Sequence, residues 1–252
     1  MGKNKLFKFA QMETFSNVFQ YPAITLRDAM KTGVSAPIAG AWQTIFGNNN
    51  PVVLELGCGR GEYTCALAEL YKDKNFIGVD IKGARMWAGA KYALEQNLHN
   101  VAFLRTNIEL IEKFFKPDEI DEIWITFPDP QMKKATKRLT STYFLRRYQN
   151  ILKPNGIVHL KTDSPFLYTY THELVRLNQF DVLVDTQDLY SESLDPLLLT
   201  IQTHYEKQWL DRGKKIKYIS FRLTNKEIVE PEIDIEPDDY RSYGRFGRTQ
   251  KQ

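Results

Sequence analysis

Residues 52–61 read Val-Val-Leu-Glu-Leu-Gly-Cys-Gly-Arg-Gly, and this stretch decides the fold. Its first half is an apolar run rich in β-branched residues, which is typical of a buried parallel strand. Glycines then alternate at positions 57, 59 and 61, where a side chain would block a turn with positive φ or keep a ligand off the backbone. Apolar residues at helical spacing follow from Tyr63 to Tyr71. A strand, a glycine turn and a helix in this order predict a nucleotide-type site on a doubly wound sheet.

An acidic residue, Asp80, ends the next apolar strand. A carboxylate at that place can accept hydrogen bonds from the ribose hydroxyls of an adenosine. A dinucleotide fingerprint would need a small residue where the chain has Glu62, and a diphosphate would be repelled by Glu62 and Glu55. S-adenosylmethionine fits better, because its amino and sulfonium groups are cationic and Glu55 would attract them. A tight glycine turn without a ligand is the structural alternative.

Strands and helices alternate regularly from Pro51 onward. The predicted strands are 52–56, 76–80, 101–105, 123–127, 157–161, 180–185 and 217–223. Ligands of open α/β sheets bind beyond the carboxyl ends of the strands. Polar or glycine features follow five of these strands, namely Gly57–Gly61, Asp80, Asn107, Asp129 and Asp163. Their convergence on one edge of the sheet indicates a binding site there.

The 252 residues divide into three predicted parts. Residues 1–50 show short amphipathic pieces and no clear strand, so we expect a helical arm beside or over the site. Residues 51–224 form the α/β domain. Residues 225–252 are rich in proline, acids and arginine, and we expect much of this tail to be mobile.

Composition narrows the class of protein. There is no run of 18 apolar residues and no apolar signal core after the N-terminal lysines, so we expect a cytoplasmic protein without a membrane span. Two cysteines and four histidines show no metal-ligand spacing, and we expect no metal. The net charge is +3, but six acids are concentrated in residues 230–239, so the rest of the chain is more basic. A basic body is compatible with nucleic-acid binding, although solvated surface charge is the alternative.

A second motif, Phe127-Pro128-Asp129-Pro130, follows the fourth predicted strand. The two prolines fix φ on either side of Asp129 and hold its carboxylate at the tip of the strand. We expect this carboxylate to lie beside the methyl group of the cofactor. A rigid turn with a capping aspartate is the structural alternative.

A cluster of cations comes directly after this motif. It consists of Lys133, Lys134, Lys137 and Arg138. Four cations within six residues, next to a predicted site, indicate phosphate binding. A solvated charged face is the alternative.

These motifs together resemble the bacterial tRNA (guanine-N7-)-methyltransferases. The chain carries LELGCGRGEY, FIGVD, TFPDPQMKKATKRLTSTYF, LKTDS and THYEKQW in the order of that family, from about residue 52 to 223. The resemblance implies a Rossmann-like class I methyltransferase fold. Its α/β sheet would have seven strands, mostly parallel, with the seventh antiparallel and helices on both faces.

The motifs and the resemblance together assign roles to individual residues. The predicted cofactor-binding residues are Glu55, Gly57, Gly59, Gly61, Asp80, Asn107 and Asp129, and Asp129 is also the predicted catalytic residue. The predicted contacts to the guanine or nearby tRNA are Lys133, Asp163, Thr203, Tyr205 and Glu206. The predicted contacts to the RNA backbone are Lys134, Lys137 and Arg138. The family would place the methyl group on N7 of guanosine 46 in the variable loop.

Two positions depart from the family pattern. Gln131 stands where many members have tryptophan, which puts a stacking role there in doubt. Asn107 replaces an aspartate, and its amide can still contact adenine.

Rival functions remain open at this point. The predicted cofactor-binding residues would serve an N6-adenine or small-molecule methyltransferase equally well. A non-catalytic RNA-binding protein could also have the same fold. We expect tRNA as the partner, no obligate protein partner, and a monomer or homodimer.

Overall fold

An eight-stranded mixed sheet is the centre of the protein, as seen in a computed structural model that describes residues 2–21, 36–192 and 199–238. The strands β1 to β8 are Val18–Gln20, Val52–Leu56, Asn75–Asp80, Val101–Arg105, Ile120–Thr126, Leu152–Thr162, Asp181–Thr186 and Lys217–Arg222. Their order is β1-β4-β3-β2-β5-β6-β8-β7. Only β8 runs antiparallel to its neighbours, β6 and β7. The predicted mostly parallel Rossmann-like sheet is therefore confirmed, with one strand more than expected.

Helices cover both faces of this sheet. The described α-helices, α1 to α7, are Gly2–Met12, Trp42–Phe46, Glu62–Leu70, Gly83–Glu95, Thr142–Gln149, Pro165–Leu177 and His204–Leu210, and 3-10 helices span Ile108–Lys113 and Ala135–Lys137. In the part of the chain that the structure describes, no helix combines the length and the apolar character that crossing a bilayer requires.

Two apolar layers explain the hydrophobic run of β2, which only Glu55 interrupts. Leu54 and Leu56 face the layer that contains α2, α5 and α6, whereas Val53 faces the layer that contains α1, α3, α4 and α7. Successive side chains of a strand point to opposite faces, so a strand buried on both faces is apolar at nearly every position. Glu55 is the exception in β2, and hydrogen bonds from Thr64 and Thr126 satisfy its carboxyl. All five residues of β2 are buried.

The position of β2 creates the crevice in which a ligand can bind. It pairs in parallel with β3 on one side and with β5 on the other. The connections that leave its neighbours therefore diverge, and the carboxyl end of β2 lies at the switch point of the sheet.

The N-terminal arm contains a strand, so the prediction of an arm without one is wrong. Val18–Gln20 pair in parallel with Phe103–Arg105 at the edge of the sheet. The amide of Phe103 donates to the carbonyl of Asn17 at 2.8 Å, and the ring of Phe19 lies 5.3 Å from that of Trp42. Three residues are too few to show a strand period in sequence, and this strand forms because β4 offers it a free edge.

The long strand β6 contains an irregular stretch, Lys153–Gly156. Leu152 pairs with Ile120 and Ile157 with Glu122, so the intervening residues bulge out of the ladder. Asn155 in this bulge has φ 61°, which an asparagine tolerates better than most residues.

The first part of the C-terminal tail packs on the body. Ile228 is 1% exposed, and Glu230 accepts hydrogen bonds from Thr142 and Tyr170. Asp238 accepts from the amide of Phe166 at 2.8 Å. Residues 239–252, which also belong to the predicted mobile tail, lie outside the described residues.

Candidate active site

The glycine turn after β2 clears space above the sheet. Gly57 and Gly59 have φ values of 81° and 56°, a region that glycine enters without strain. A Cβ at Gly57 would meet no atom within 4 Å, and one at Gly59 would meet only the carbonyl oxygen of Gly57 at 3.9 Å. The backbone at both residues therefore faces open space that a ligand can fill.

Gly61 has a different function from the other two glycines. It also has a positive φ, 72°, but a Cβ there would lie 2.5 Å from the ring of Phe103 and 3.2 Å from the Cα of Gly89. Gly61 is thus needed for the close packing of α3 against α4 and the sheet. Its Cβ position does not face the cleft, and its predicted contact with the cofactor stays a prediction.

A cleft of about 570 Å³ opens at the carboxyl ends of β2 and β5. It brings together the residues after β2, the start of α4, the Pro-Asp-Pro turn and the start of α7. Its lining is Glu55, Gly57, Cys58, Gly59, Arg60, Glu62, Tyr63, Lys82, Arg85, Thr126, Phe127, Asp129, Thr203, His204, Tyr205 and Gln208.

Glu55 is a buried carboxyl at the floor of this cleft. Thr64 donates to it through its amide at 2.9 Å and through its hydroxyl, and Thr126 Oγ1 donates at 2.6 Å. Burial raises the pKa of Glu55 to about 7, although these hydrogen bonds favour the charged form. A cation placed beside it would complete its environment, as the sequence predicts for an amino group of the cofactor.

Asp80 stabilises the glycine turn. Its carboxylate accepts from the amide of Gly59 at 2.9 Å and from that of Lys82 at 2.7 Å. Asp80 is partly exposed, so its oxygens can still accept a hydrogen bond from a ribose.

Asn107 caps the 3-10 helix that begins at Ile108. Its Oδ1 accepts from the amide of Glu109 at 3.2 Å. Neither Asn107 nor Asp80 belongs to the lining of the cleft, and both lie at neighbouring strand ends.

Asp129 lies in a turn with unusual backbone conformation. Phe127 and Gln131 both have positive φ, 47° and 48°, which residues with side chains rarely adopt. The Asp129 carboxylate accepts from the amide of Gln131 at 3.0 Å, and its exposed side chain lines the cleft. The two prolines predict a rigid turn, but the strained residue on each side of them was not predicted.

The start of α7 forms one wall of the cleft. Thr203 caps this helix by accepting from the amide of Glu206 at 3.2 Å. The amide of His204 donates to Glu62 at 2.7 Å, which ties α7 to α3. The ring of Tyr205 lies 5.5 Å from that of Phe127, so the wall presents two aromatic rings. Thr203 and Tyr205 therefore line the cleft, and their contact with a base stays a prediction.

Glu206 points away from the cleft, and its predicted contact with guanine has no support. Its side chain is fully buried and pairs with Lys161 Nζ at 2.8 Å. Tyr190 donates to it at 2.6 Å, and Lys161 also donates to the carbonyl of Ile201 at 3.1 Å. This buried pair holds α7 against the end of β6.

Sequence reasoning missed Lys161, whose ion pair with Glu206 positions helix α7. The signal was a lysine at the end of a mainly apolar strand, Ile157-Val158-His159-Leu160-Lys161. A buried lysine requires a partner, but sequence alone does not say which acid supplies it. Burial lowers the pKa of Lys161, and Glu206 opposes that shift.

Asp163 lies in a second cleft, of about 450 Å³. Trp209 and Lys214 line it on one side, and residues 235–238 of the tail line it on the other. Asp163 is 5% exposed, and burial raises the pKa of its carboxyl to about 6. Its Oδ1 has no hydrogen-bond partner among the described residues. The structure therefore separates Asp163 from the cleft that holds Glu55 and Asp129.

The four cations after the Pro-Asp-Pro turn are not equivalent. Lys137 pairs with Glu109, which raises the pKa of the lysine. Arg138 donates to the carbonyl of Met132 at 3.0 Å and covers the ring of Tyr170 at 4.4 Å, so it holds the loop. Lys133 and Lys134 are exposed and have no carboxylate partner in the described part of the chain. These two lysines remain available to phosphates.

Comparison with known proteins places the whole chain in one family. Residues 49–219 match the family described as "Putative methyltransferase". The tRNA (guanine-N(7)-)-methyltransferase of Bacteroides thetaiotaomicron is 56% identical over 251 residues, covering 99% of this chain and 98% of the relative. The protein of the same name from Porphyromonas gingivalis is 57% identical, covering 95% and 98%.

Solved structures show the same fold at low sequence identity. The 16S rRNA methyltransferase KamB superposes with a TM-score of 0.57 at 12% identity, covering 75% of this chain and 94% of that one. Sheet, cleft and relatives agree, and this chain belongs to the family of bacterial tRNA (guanine-N7-)-methyltransferases.

Proposed function

We propose that this protein transfers a methyl group from S-adenosylmethionine to N7 of guanosine 46 in the variable loop of tRNA. The observation that carries the proposal is the cleft at the end of β2, where a buried carboxyl, an open glycine turn and Asp129 lie together. The relatives named tRNA (guanine-N(7)-)-methyltransferase, at 56% and 57% identity, support this acceptor atom.

The residues of the cleft fit S-adenosylmethionine. Gly57 and Gly59 present backbone to open space, and the buried carboxyl of Glu55 favours a cationic partner. Glu55 would hold the amino group, the glycine turn would accommodate the methionine portion, and Asp80 would accept from the ribose. When bound, this cofactor supplies an electrophilic methyl group on a sulfonium.

Guanine N7 has a free lone pair and no proton, so its methylation needs no general base. The protein has to hold N7 in line with the methyl carbon, and such positioning can supply a large part of the reduction of the barrier. The rings of Phe127 and Tyr205 line the cleft and would contact the face of a base.

Asp129 would act by electrostatics. The guanine gains positive charge as N7 is alkylated. A fixed carboxylate beside it stabilises that charge more in the transition state than in the ground state. The prolines on either side of Asp129 restrict the backbone of the turn, so the stabilisation would require little reorganisation.

The proposal is tested by identifying the product. Purified protein is incubated with methyl-labelled S-adenosylmethionine and an unmodified tRNA transcript, and the nucleosides are analysed after digestion. We expect 7-methylguanosine and, after borohydride and aniline treatment, a chain break in the variable loop. A transcript with adenosine at position 46 is the control and should accept no label.

Two other outcomes would overturn the proposal. Label in N6-methyladenosine without a chain break would indicate an adenine methyltransferase. No turnover by folded protein that binds tRNA would indicate a non-catalytic RNA-binding protein.

We further propose that residues 51–224 form the catalytic domain, with the arm 1–50 and the tail 225–252 as extensions. The pairing of β1 with β4 and the packing of Ile228 support extensions that fold onto this domain. We propose a cytoplasmic monomer or homodimer without an obligate protein partner. Gel filtration with light scattering tests the oligomeric state.

A further inference from the structure

Helix α1 is docked beside the cofactor cleft. Met12 at its end is 1% exposed, and Trp87 Nε1 donates to Gln11 Oε1 at 2.9 Å. The ring of Phe9 lies so close to the start of α4 that a Cβ at Gly83 would come within 2.8 Å of it. Since residues at the start of α4 also line the cleft, α1 extends the rim of the cleft outward.

Four cations follow this rim, and we call them the α1–α4 lip. They are Lys5 and Lys8 on α1, and Lys82 and Arg85 at the start of α4. None of the four has a carboxylate within ion-pair distance among residues 2–21, 36–192 and 199–238. By contrast, Lys91, almost two turns beyond Arg85 on α4, pairs with Glu95. Uncompensated positive charge along a rim attracts a polyanion.

Aromatic rings hold the two lysines of α1 in place. Lys8 Nζ lies 4.5 Å from the ring centre of Trp87, and Lys5 Nζ lies 5.9 Å from that of Phe9. Cation–π contacts orient an ammonium while leaving donors for a phosphate. On the outer face of the helix, Leu6 and Phe7 are 73% and 56% exposed. An exposed aromatic ring beside cations is a feature of surfaces on which nucleic-acid bases stack.

The topology places the α1–α4 lip across the cleft from the other free lysines. The lip begins after β3, whereas Lys133 and Lys134 follow β5, and β3 and β5 lie on opposite sides of β2. We propose that the α1–α4 lip binds the sugar–phosphate backbone of the tRNA, so that the RNA spans the cleft between two basic surfaces. This inference rests on the proposed function for the identity of the RNA.

Salt dependence of binding tests the lip. Affinity for a fluorescein-labelled, unmodified tRNA is measured by anisotropy between 50 and 300 mM KCl with S-adenosylhomocysteine present. The slope of log binding constant against log salt concentration becomes shallower by about 0.7 to 0.9 for each lost phosphate contact. Lys5→Gln/Lys8→Gln should therefore reduce the magnitude of this slope by roughly 1.4 to 1.8. Lys5→Arg/Lys8→Arg keeps the charge and the ring contacts and should leave the slope unchanged.

Matched controls come from the side of the sheet opposite to the carboxyl strand ends that hold the cleft. Lys72 and Lys226 are exposed there, and Lys72→Gln/Lys226→Gln should not alter the slope. Circular dichroism and calorimetry with S-adenosylmethionine check that the α1 variants fold and bind the cofactor. An unchanged slope for the folded Lys5→Gln/Lys8→Gln protein would overturn the inference.

A membrane surface is the rival partner, because a basic helix with exposed Leu6 and Phe7 can also lie on anionic lipid. Flotation with phosphatidylserine vesicles, lost in Lys5→Gln/Lys8→Gln while the tRNA slope stays constant, would assign the lip to lipid. The two experiments distinguish a failure of the proposed function from a failure of the inference about the lip. A reduced slope without 7-methylguanosine would overturn only the proposed function, and 7-methylguanosine with an unchanged slope would overturn only the lip.

Discussion

Asp129 is held by two flanking residues in left-handed conformation, Phe127 and Gln131. The amide of Gln131 donates to the Asp129 carboxylate at 3.0 Å, which orients the side chain. Asp129→Asn keeps the size and the hydrogen bond from Gln131 but removes the charge. We expect the single-turnover rate to fall by roughly a hundredfold, the effect of one preorganised electrostatic group, with tRNA affinity maintained. Rapid-quench assays at saturating tRNA measure this, and an unchanged rate would leave Asp129 as a turn residue only.

Gly59 tests whether the glycine turn accommodates a ligand. Gly59→Leu places a side chain in the open space of the cleft and also strains a backbone with φ 56°. Binding of S-adenosylmethionine should fall below detection by calorimetry. Gly47→Leu is the matched control, because Gly47 has φ 67°, no atom near its Cβ position and a place remote from the cleft. Equal loss of binding in both variants would mean that strain, and not blocking, is responsible.

Among the elements, the loop after β5 carries cations of two kinds, which we expect to differ in their contribution to RNA binding. Lys133 and Lys134 are free of carboxylate partners in the described chain, whereas Lys137 is paired with Glu109. Lys133→Gln/Lys134→Gln should reduce the magnitude of the salt slope for tRNA by roughly 1.4 to 1.8, and Lys137→Gln by less. Anisotropy titrations check this. Equal effects of all three lysines would show that Glu109 releases Lys137 when RNA binds.

The pair of Lys161 and Glu206 anchors helix α7, whose first residues form a wall of the cleft. Lys161→Met leaves the Glu206 carboxylate buried without its cation, and this should destabilise the protein by about 3 to 5 kcal/mol. Lys161→Met/Glu206→Gln removes both charges and should recover most of the loss. Urea unfolding measures both variants. Additive losses would indicate that the two side chains do not act as a pair.

At the scale of the whole molecule, two buried carboxyls make stability depend on pH. Burial raises the pKa of Glu55 to about 7 and that of Asp163 to about 6, both above their unfolded values. The folded state therefore binds more protons between about pH 4 and 7. The contribution of these two groups to the free energy of unfolding is complete below about pH 4 and is lost as the pH rises through 6 and 7.

Other groups act in the opposite direction. Burial lowers the pKa of His159. Burial alone would raise the pKa of its neighbour Glu122, but hydrogen bonding and charge from His159 outweigh that effect and lower it to about 2. Comparing wild type with Glu55→Gln isolates Glu55. We expect the thermal stability of the ligand-free wild type, measured relative to that of Glu55→Gln, to fall as the pH rises from 5 to 8. A constant difference across this range would contradict the raised pKa.

Saturating S-adenosylmethionine should abolish this trend if Glu55 binds its amino group, because the bound cation favours the carboxylate. The same experiment thus links the stability of the whole molecule to the site. No change with the cofactor would place Glu55 outside its binding site.

Much of the sheet follows from local sequence. The apolar run before Gly57, the acid at the end of β3 and the prolines around Asp129 are patterns of neighbouring residues, and chain order then predicts the parallel sheet and the edge that holds the site. Strand β1 has only three residues and no period of its own. It forms because the edge of β4 is available, and that is a long-range contact.

The sequence by itself determined the fold class, the carboxyl edge that holds the cleft, and the placement of Glu55, Gly59 and Asp129 on it, since each depends on local pattern and strand direction. Only the tertiary structure decided which polar groups become partners. It pairs Glu206 with Lys161, distant in sequence, and places Asp163 in a separate cleft. A buried charge must find its counter-charge in space, and residue spacing along the chain does not contain that information.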